Sequence, residues 1–145
     1  MESVALFPGS FNPFTKGHAN IVFRALNMFD KVVIGIGINS EKPQEGIQEN
    51  LKKIKATYAN QPRVKVITYS TLTADVVKEE NAKCIIRGIR NEVDLNYESE
   101  IAKANYTLFG VETVFLLASP ELKEISSSLV RELEKYGKNI TDLLP

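Results

Sequence analysis

The chain has 145 residues, 43% of them hydrophobic, and its 18 Lys plus Arg balance 18 Asp plus Glu, so the formal net charge is zero. Such a length and apolar content predict one packed domain over residues 1–145 and exclude a disordered chain. Charge balance argues against a nucleic-acid partner, the single cysteine Cys84 excludes an internal disulfide, and no apolar run approaches the ~18 residues that cross a membrane.

Val4–Phe7 reads as a short buried strand, and a tight turn over Gly9–His18 leads to a helix from about Ala19 to Phe29, with Ile21, Val22, Ala25, Leu26 and Phe29 at helical spacing. Val32–Ile38 is a β-branched strand in which Gly35 and Gly37 strip the side chains from one face, so that something can pack close there. The polar stretch 39–46 breaks the pattern, and Ile47, Leu51, Ile54 and Tyr58 mark a second helix. Val64–Tyr69 alternates as a strand, and Thr71 is placed to cap a third helix with Leu72, Val76 and Val77. Lys83–Ile86 is a fourth strand, with Cys84 as a core thiol, and a long helix follows with Leu95, Ile101, Ala102, Asn105 and Leu108 along it. Thr113–Ala118 is nearly all apolar, as in a strand buried on both faces, and Ser126 or Ser127 caps a last helix with Leu129, Val130 and Leu133 inward. Phe23, Phe29, Phe109 and Phe115 are expected in the core, with Phe11 and Tyr97 set apart by their place in the polar loops.

Alternating β and α segments with short connections predict an α/β, Rossmann-like, doubly wound, five-stranded parallel sheet. Ligands of such sheets bind beyond the carboxyl ends of the strands, and the unusual polar residues fall there: 10–18, 39–42, 71–73, 87–90 and 119–128. There is no G-x-G-x-x-G turn and no G-x-x-x-x-G-K-[ST] loop. Thr15-Lys16-Gly17-His18 places the chain's one histidine at a helix start, where free N–H groups and the helix dipole suit phosphate. The same residues read equally as a capping turn with a surface histidine. Arg87 and Arg90 flank Gly88-Ile89 and match phosphate oxygens, or pair with Asp94 and Glu98 one helical turn apart, and both can hold together because carboxylates can orient arginines that bind phosphate. Ser126-Ser127-Ser128, with Arg131 a turn later, form either an anion site or a generous N-cap, and Lys42 is either solvated surface or a cation closing over phosphate. One histidine and one cysteine far apart supply no transition-metal site.

Pro8-Gly9-Ser10-Phe11-Asn12-Pro13, Thr15-Lys16-Gly17-His18, Arg87-Gly88-Ile89-Arg90, Asp94, Tyr97-Glu98 and Ile125-Ser126-Ser127-Ser128-Leu129-Val130-Arg131 together resemble the phosphopantetheine adenylyltransferases, a branch of the nucleotidyltransferases marked by T-x-G-H. The resemblance runs over nearly the whole chain. It implies transfer of AMP from ATP to 4′-phosphopantetheine, giving dephospho-coenzyme A and pyrophosphate, with His18, Lys42 and Arg90 catalytic. By the same resemblance, Ser10, Phe11, His18, Gly88, Ile89, Arg90, Glu98, Leu122, Lys123, Glu124, Ile125, Ser126, Ser127 and Ser128 line the ATP site. Ser10, Lys42, Thr73, Arg87 and Asn105 meet the acceptor. It also implies Mg2+ held mainly by ATP phosphates and water, a homohexamer, and a cytoplasmic enzyme with neither nucleic acid nor membrane as partner.

Ser10 and Asn12 stand where the family usually has threonine and aspartate, and Glu49-Asn50 where it tends to have a Glu-Arg pair. The chain stops at Leu143-Leu144-Pro145, about where many relatives continue into a final helix. Two rival readings are another T-x-G-H nucleotidyltransferase, acting on nicotinate mononucleotide or a polyol phosphate, and a nucleotide-binding regulatory module without catalysis.

Overall fold

The computed structural model describes residues 1–39 and 46–145. In chain order its elements are β1 (Val4–Gly9), α1 (Lys16–Ala25), β2 (Lys31–Gly37), α2 (Ile47–Thr57), β3 (Val64–Tyr69), α3 (Thr73–Glu79), β4 (Cys84–Ile89), α4 (Glu92–Phe109), β5 (Thr113–Leu117), α5 (Ser127–Lys135) and a closing 3-10 turn, Thr141–Leu143. The strands form one all-parallel sheet in the order β3-β2-β1-β4-β5. The chain winds outward from β1 to β3, crosses back, and winds the other way through β4 and β5, so the strand order switches between β1 and β4. That is the predicted doubly wound, Rossmann-like class.

Each central strand feeds two cores because its side chains alternate. Ala5, Phe7, Val32, Ile34, Ile36 and Ile86 pack with Ile21, Val22 and Ala25 of α1 and Ile54 of α2. Val4, Leu6, Val33 and Ile85 pack on the opposite face with Ala74, Val76 and Val77 of α3. Burial raises the pKa of the Cys84 thiol to about 11, in keeping with an inert core residue.

The bare face of β2 is filled by an aromatic ring. A Cβ on Gly35 would lie 3.1 Å from Tyr69 Cε1 and 3.3 Å from Leu6 Cδ1, and one on Gly37 would lie 3.4 Å from the Tyr69 hydroxyl. Tyr69 thus lies across β2, and its hydroxyl shares a 2.9 Å hydrogen bond with Thr73 Oγ1 at the start of α3.

Several expectations are corrected. α1 begins at Lys16, not near Ala19, because Thr15 caps it three residues earlier. Leu72, not Thr71, is the cap of α3; it makes no side-chain cap bond and is exposed. β4 runs on through Ile89, which places Arg87 within the strand. β5 pairs with β4 alone, so it lies at the sheet edge, half-buried, with Leu117 69% exposed where burial on both faces was expected. Phe23 and Phe109 are surface residues, and of α4 only Glu98 is buried, with Leu95, Ile101 and Leu108 exposed along it.

Gly35→Ala has no slack to absorb its methyl group, since Leu6 is fully buried and Tyr69 is tethered through Thr73. It should destabilise the fold by about 1–2 kcal/mol, read as a lowered urea midpoint at unchanged m-value.

Candidate active site

β1 ends at Gly9 beside the switch in strand order, and the chain turns sharply there. Phe11 takes a left-handed backbone, φ 47°, and folds its ring back over Gly9, where an added Cβ would come within 2.9 Å of it. Phe11 is buried, and its ring meets the His18 imidazole edge-on at 5.0 Å. Phe14 stacks on the same imidazole at 5.3 Å. These rings make an apolar bed for the histidine.

The polar face of His18 is held by the helix it starts. The Thr15 N–H donates to His18 Nδ1 at 2.9 Å, and the His18 N–H approaches Thr15 Oγ1 at 3.4 Å, a reciprocal cap with imidazole in the place of the usual Glu or Gln. A backbone N–H can only donate, so Nδ1 carries no proton and Nε2 does. Burial, then the positive charges of Arg87 and Arg90, lower the His18 pKa from 6.5 to about 4. At neutral pH the side chain is therefore an uncharged hydrogen-bond donor.

Arg87 and Arg90 each have a carboxylate from α4. Arg87 Nε and Nη2 reach Glu98 Oε2 and Oε1 at 2.9 and 2.7 Å, and Nη1 donates to the Pro8 carbonyl. Arg90 reaches Asp94 Oδ2 at 3.1 Å through Nε, and the same oxygen accepts the Arg90 N–H at 3.0 Å. The pairing of Arg87 with Glu98 and Arg90 with Asp94 was one of two sequence readings, and it leaves both guanidinium groups oriented beside the cavity.

The serine loop closes the other side. Ser126 Oγ accepts from the Leu129 N–H at 3.0 Å and caps α5. Ser127 Oγ donates to the Pro13 carbonyl at 2.7 Å, and Arg131 reaches the Asn12 carbonyl and, at 3.2 Å, Ser128 Oγ. Gly17 faces the Ile125 carbonyl, 3.7 Å from where its Cβ would be, so the start of α1 and the loop before α5 lie against one another.

These groups surround a cavity of about 400 Å³ lined by Ser10, Phe11, His18, Gly88, Arg90, Glu98, Leu122, Ile125 and Ser126–Ser128, among others. A second cavity of about 220 Å³ runs under α4 and is lined by Thr73, Arg87, Asn105, Tyr69 and Thr113. Gly9, Arg87, Tyr97 and Glu98 border both. Of the sequence-predicted residues, Lys123 and Glu124 are exposed and line neither cavity, and the Ile89 side chain is buried in the core. Lys42 lies outside the described residues. Thr15, Asp94, Tyr97 and Arg131 border the site without having been assigned to it; all four stand inside the quoted motifs.

A cytidylyltransferase-like family model matches residues 6–133. The phosphopantetheine adenylyltransferase of Phocaeicola vulgatus is 48% identical over 145 aligned residues, covering 97% of this chain and 94% of that protein. Those of Porphyromonas gingivalis and Cytophaga hutchinsonii are 46% and 45% identical, with at least 95% of either chain covered. The chain belongs to the phosphopantetheine adenylyltransferase family. As in the predicted arrangement, the T-x-G-H, R-G-I-R and serine segments of this adenylyltransferase-family chain meet around one cavity at the strand switch.

Because the folded state holds His18 neutral, it binds fewer protons than the unfolded chain between pH 6.5 and about 4, so stability is full above that window and falls as the pH drops through it. Between pH 7.5 and 5 the wild type should lose on the order of 2 kcal/mol more than His18→Gln, as the difference in their urea midpoints. Equal losses in both proteins would refute an imidazole held neutral by the fold. Glu98→Ala, which strips Arg87 of its partner, should cost about 2–4 kcal/mol by the same measurement.

Proposed function

We propose that the chain transfers AMP from ATP to 4′-phosphopantetheine, releasing pyrophosphate and forming dephospho-coenzyme A. The observation that carries this is a neutral, tautomerically fixed His18 donor set between two oriented arginines and the serine loop at the start of α5. Such a set has little to offer a reaction that needs a base. It suits one whose nucleophile is already an oxyanion and whose difficulty is bringing two polyanions into line.

In this reading the acceptor phosphate oxygen attacks the ATP α-phosphorus from the side opposite pyrophosphate. The new P–O bond forms as the bond to the bridging oxygen breaks, and pyrophosphate leaves with that electron pair. His18 Nε2–H donates to the α-phosphate oxygens as their charge grows, with Arg90 and Lys42 assisting. Ser10 and Phe11 touch both substrates. Gly88–Arg90, Glu98 and 122–128 take ATP in the larger cavity, while Thr73, Arg87 and Asn105 take the acceptor in the smaller one. The shared border at Arg87 and Glu98 supports that division, because the two phosphates must meet where the cavities join.

Asp94 and Glu98 already serve arginines, and no group of three or more His, Cys, Asp or Glu side chains gathers among the described residues. We propose that Mg2+ enters with ATP, held mainly by its phosphates and water, where it would neutralise phosphate charge. We also propose a cytoplasmic homohexamer. In its favour, no helix among the described residues is long and apolar enough to cross a membrane, and Val93, Tyr106 and Leu108 stand exposed on α4.

Pyrophosphate should be released from ATP and Mg2+ with 4′-phosphopantetheine, and not with nicotinate mononucleotide or with glycerol 3-phosphate plus CTP. Turnover of another acceptor alone would keep the family chemistry and discard the substrate. Silence with every acceptor, despite ATP binding, would favour a regulatory module. His18→Ala should lower kcat by about 10²-fold or more while changing the ATP Kd less than about threefold.

A further inference from the structure

Asn50 lies in the first turn of α2, where the family tends to have arginine, and it bonds to the turn that forms one wall of the site. Its Nδ2 donates to the Phe11 carbonyl at 2.7 Å and approaches the Ser10 carbonyl at 3.4 Å. Those carbonyls flank the one left-handed residue of the turn, Phe11. A phenylalanine at positive φ is strained and persists only where its surroundings hold it. Its contacts include the ring against Gly9, the ring against Phe7, His18 and Phe14, and the Asn50 amide on the backbone. Only the last is a hydrogen bond from another element, and it ties the turn to α2, the helix that follows the segment containing Lys42.

We infer that Asn50 is a positioning residue for the adenylyl transfer proposed above: its amide fixes the Ser10–Phe11 backbone, and through the Phe11 ring it sets His18. The amide itself is too far along the chain of contacts to need substrate, so its effect falls on turnover rather than on ATP affinity.

The chain's single histidine makes the test direct, since one imidazole signal titrates in the proton NMR spectrum. Asn50→Leu keeps the size of the side chain, adds no charge and removes the donor. The ionised groups facing His18, Arg87 and Arg90, are untouched by it. Lys53→Ala, on an exposed position of the same helix, is the control. Both variants are first checked for cooperative thermal unfolding. In Asn50→Leu we expect the His18 titration to move up toward its ordinary value and kcat for pyrophosphate release to fall about tenfold or more, with the KM for ATP within about threefold. Asn50→Gln, which keeps a donor, should recover part of both effects, and Lys53→Ala should change neither. If Asn50→Leu leaves either the titration or kcat at the wild-type value, the inference is overturned. If the wild type transfers no AMP, the proposed reaction fails instead, and the titration alone then decides whether Asn50 sets the turn. Should Asn50→Leu fail to unfold cooperatively, Asn50→Ala takes its place under the same criteria.

Discussion

One hydrogen bond, from the backbone N–H of Thr15 to Nδ1 of His18, organises the rest of the site. It starts α1 three residues early, and so brings the helix's free amides to the rim instead of burying them in the turn. It turns the imidazole so that its remaining N–H belongs to the cavity. It also lets the ring be half-buried, because the nitrogen facing the protein has a partner and the ring lies against Phe11 and Phe14. The usual capping carboxylate would make the same bond to Thr15, but it would bring negative charge to the place where the proposed reaction puts phosphate.

Sheet order supplies the second constraint. Strands β1 and β4 diverge in connectivity, so the loops leaving them part and open a crevice between them. Into that crevice β4 delivers Arg87 and Arg90, and α4 returns immediately to give each one a carboxylate. A guanidinium held in this way keeps its fork at a fixed angle before any phosphate arrives, and a phosphate has only to replace, or share, a partner of like charge.

The class of fold was legible because its signal is repetitive: five apolar runs of strand length alternate with helical periods, and only a parallel sheet accommodates them. The rim was legible too, because polar residues after a strand end have few other reasons to cluster. What could not be read was packing against neighbours. The apolar run of β5 looks central, yet its place at the edge follows from chain topology and not from its own composition. Leu108 satisfies helical periodicity, and Phe23 is a large aromatic beside the apolar face of α1, yet both are exposed. Thr71 has the right side chain to cap α3, and the helix starts one residue too late for it to do so. Asn50 stood out only as a departure from the family's Glu-Arg pair, and its bond to the Phe11 carbonyl was not legible because an amide that bonds to backbone carbonyls leaves no pattern in the sequence, while Tyr69 was foreshadowed only by the glycines whose space it fills.

The protonation of His18 has a consequence for fidelity. An enzyme that holds ATP for a second substrate is exposed to water taking that substrate's place. Water must lose a proton to compete, and a histidine whose Nδ1 is occupied and whose Nε2 is already protonated cannot receive it. Asp94 and Glu98, engaged by arginines, are poor acceptors for the same proton. In the proposed reaction, the bond that holds the imidazole therefore also leaves His18 without a free lone pair to take the proton of a stray water.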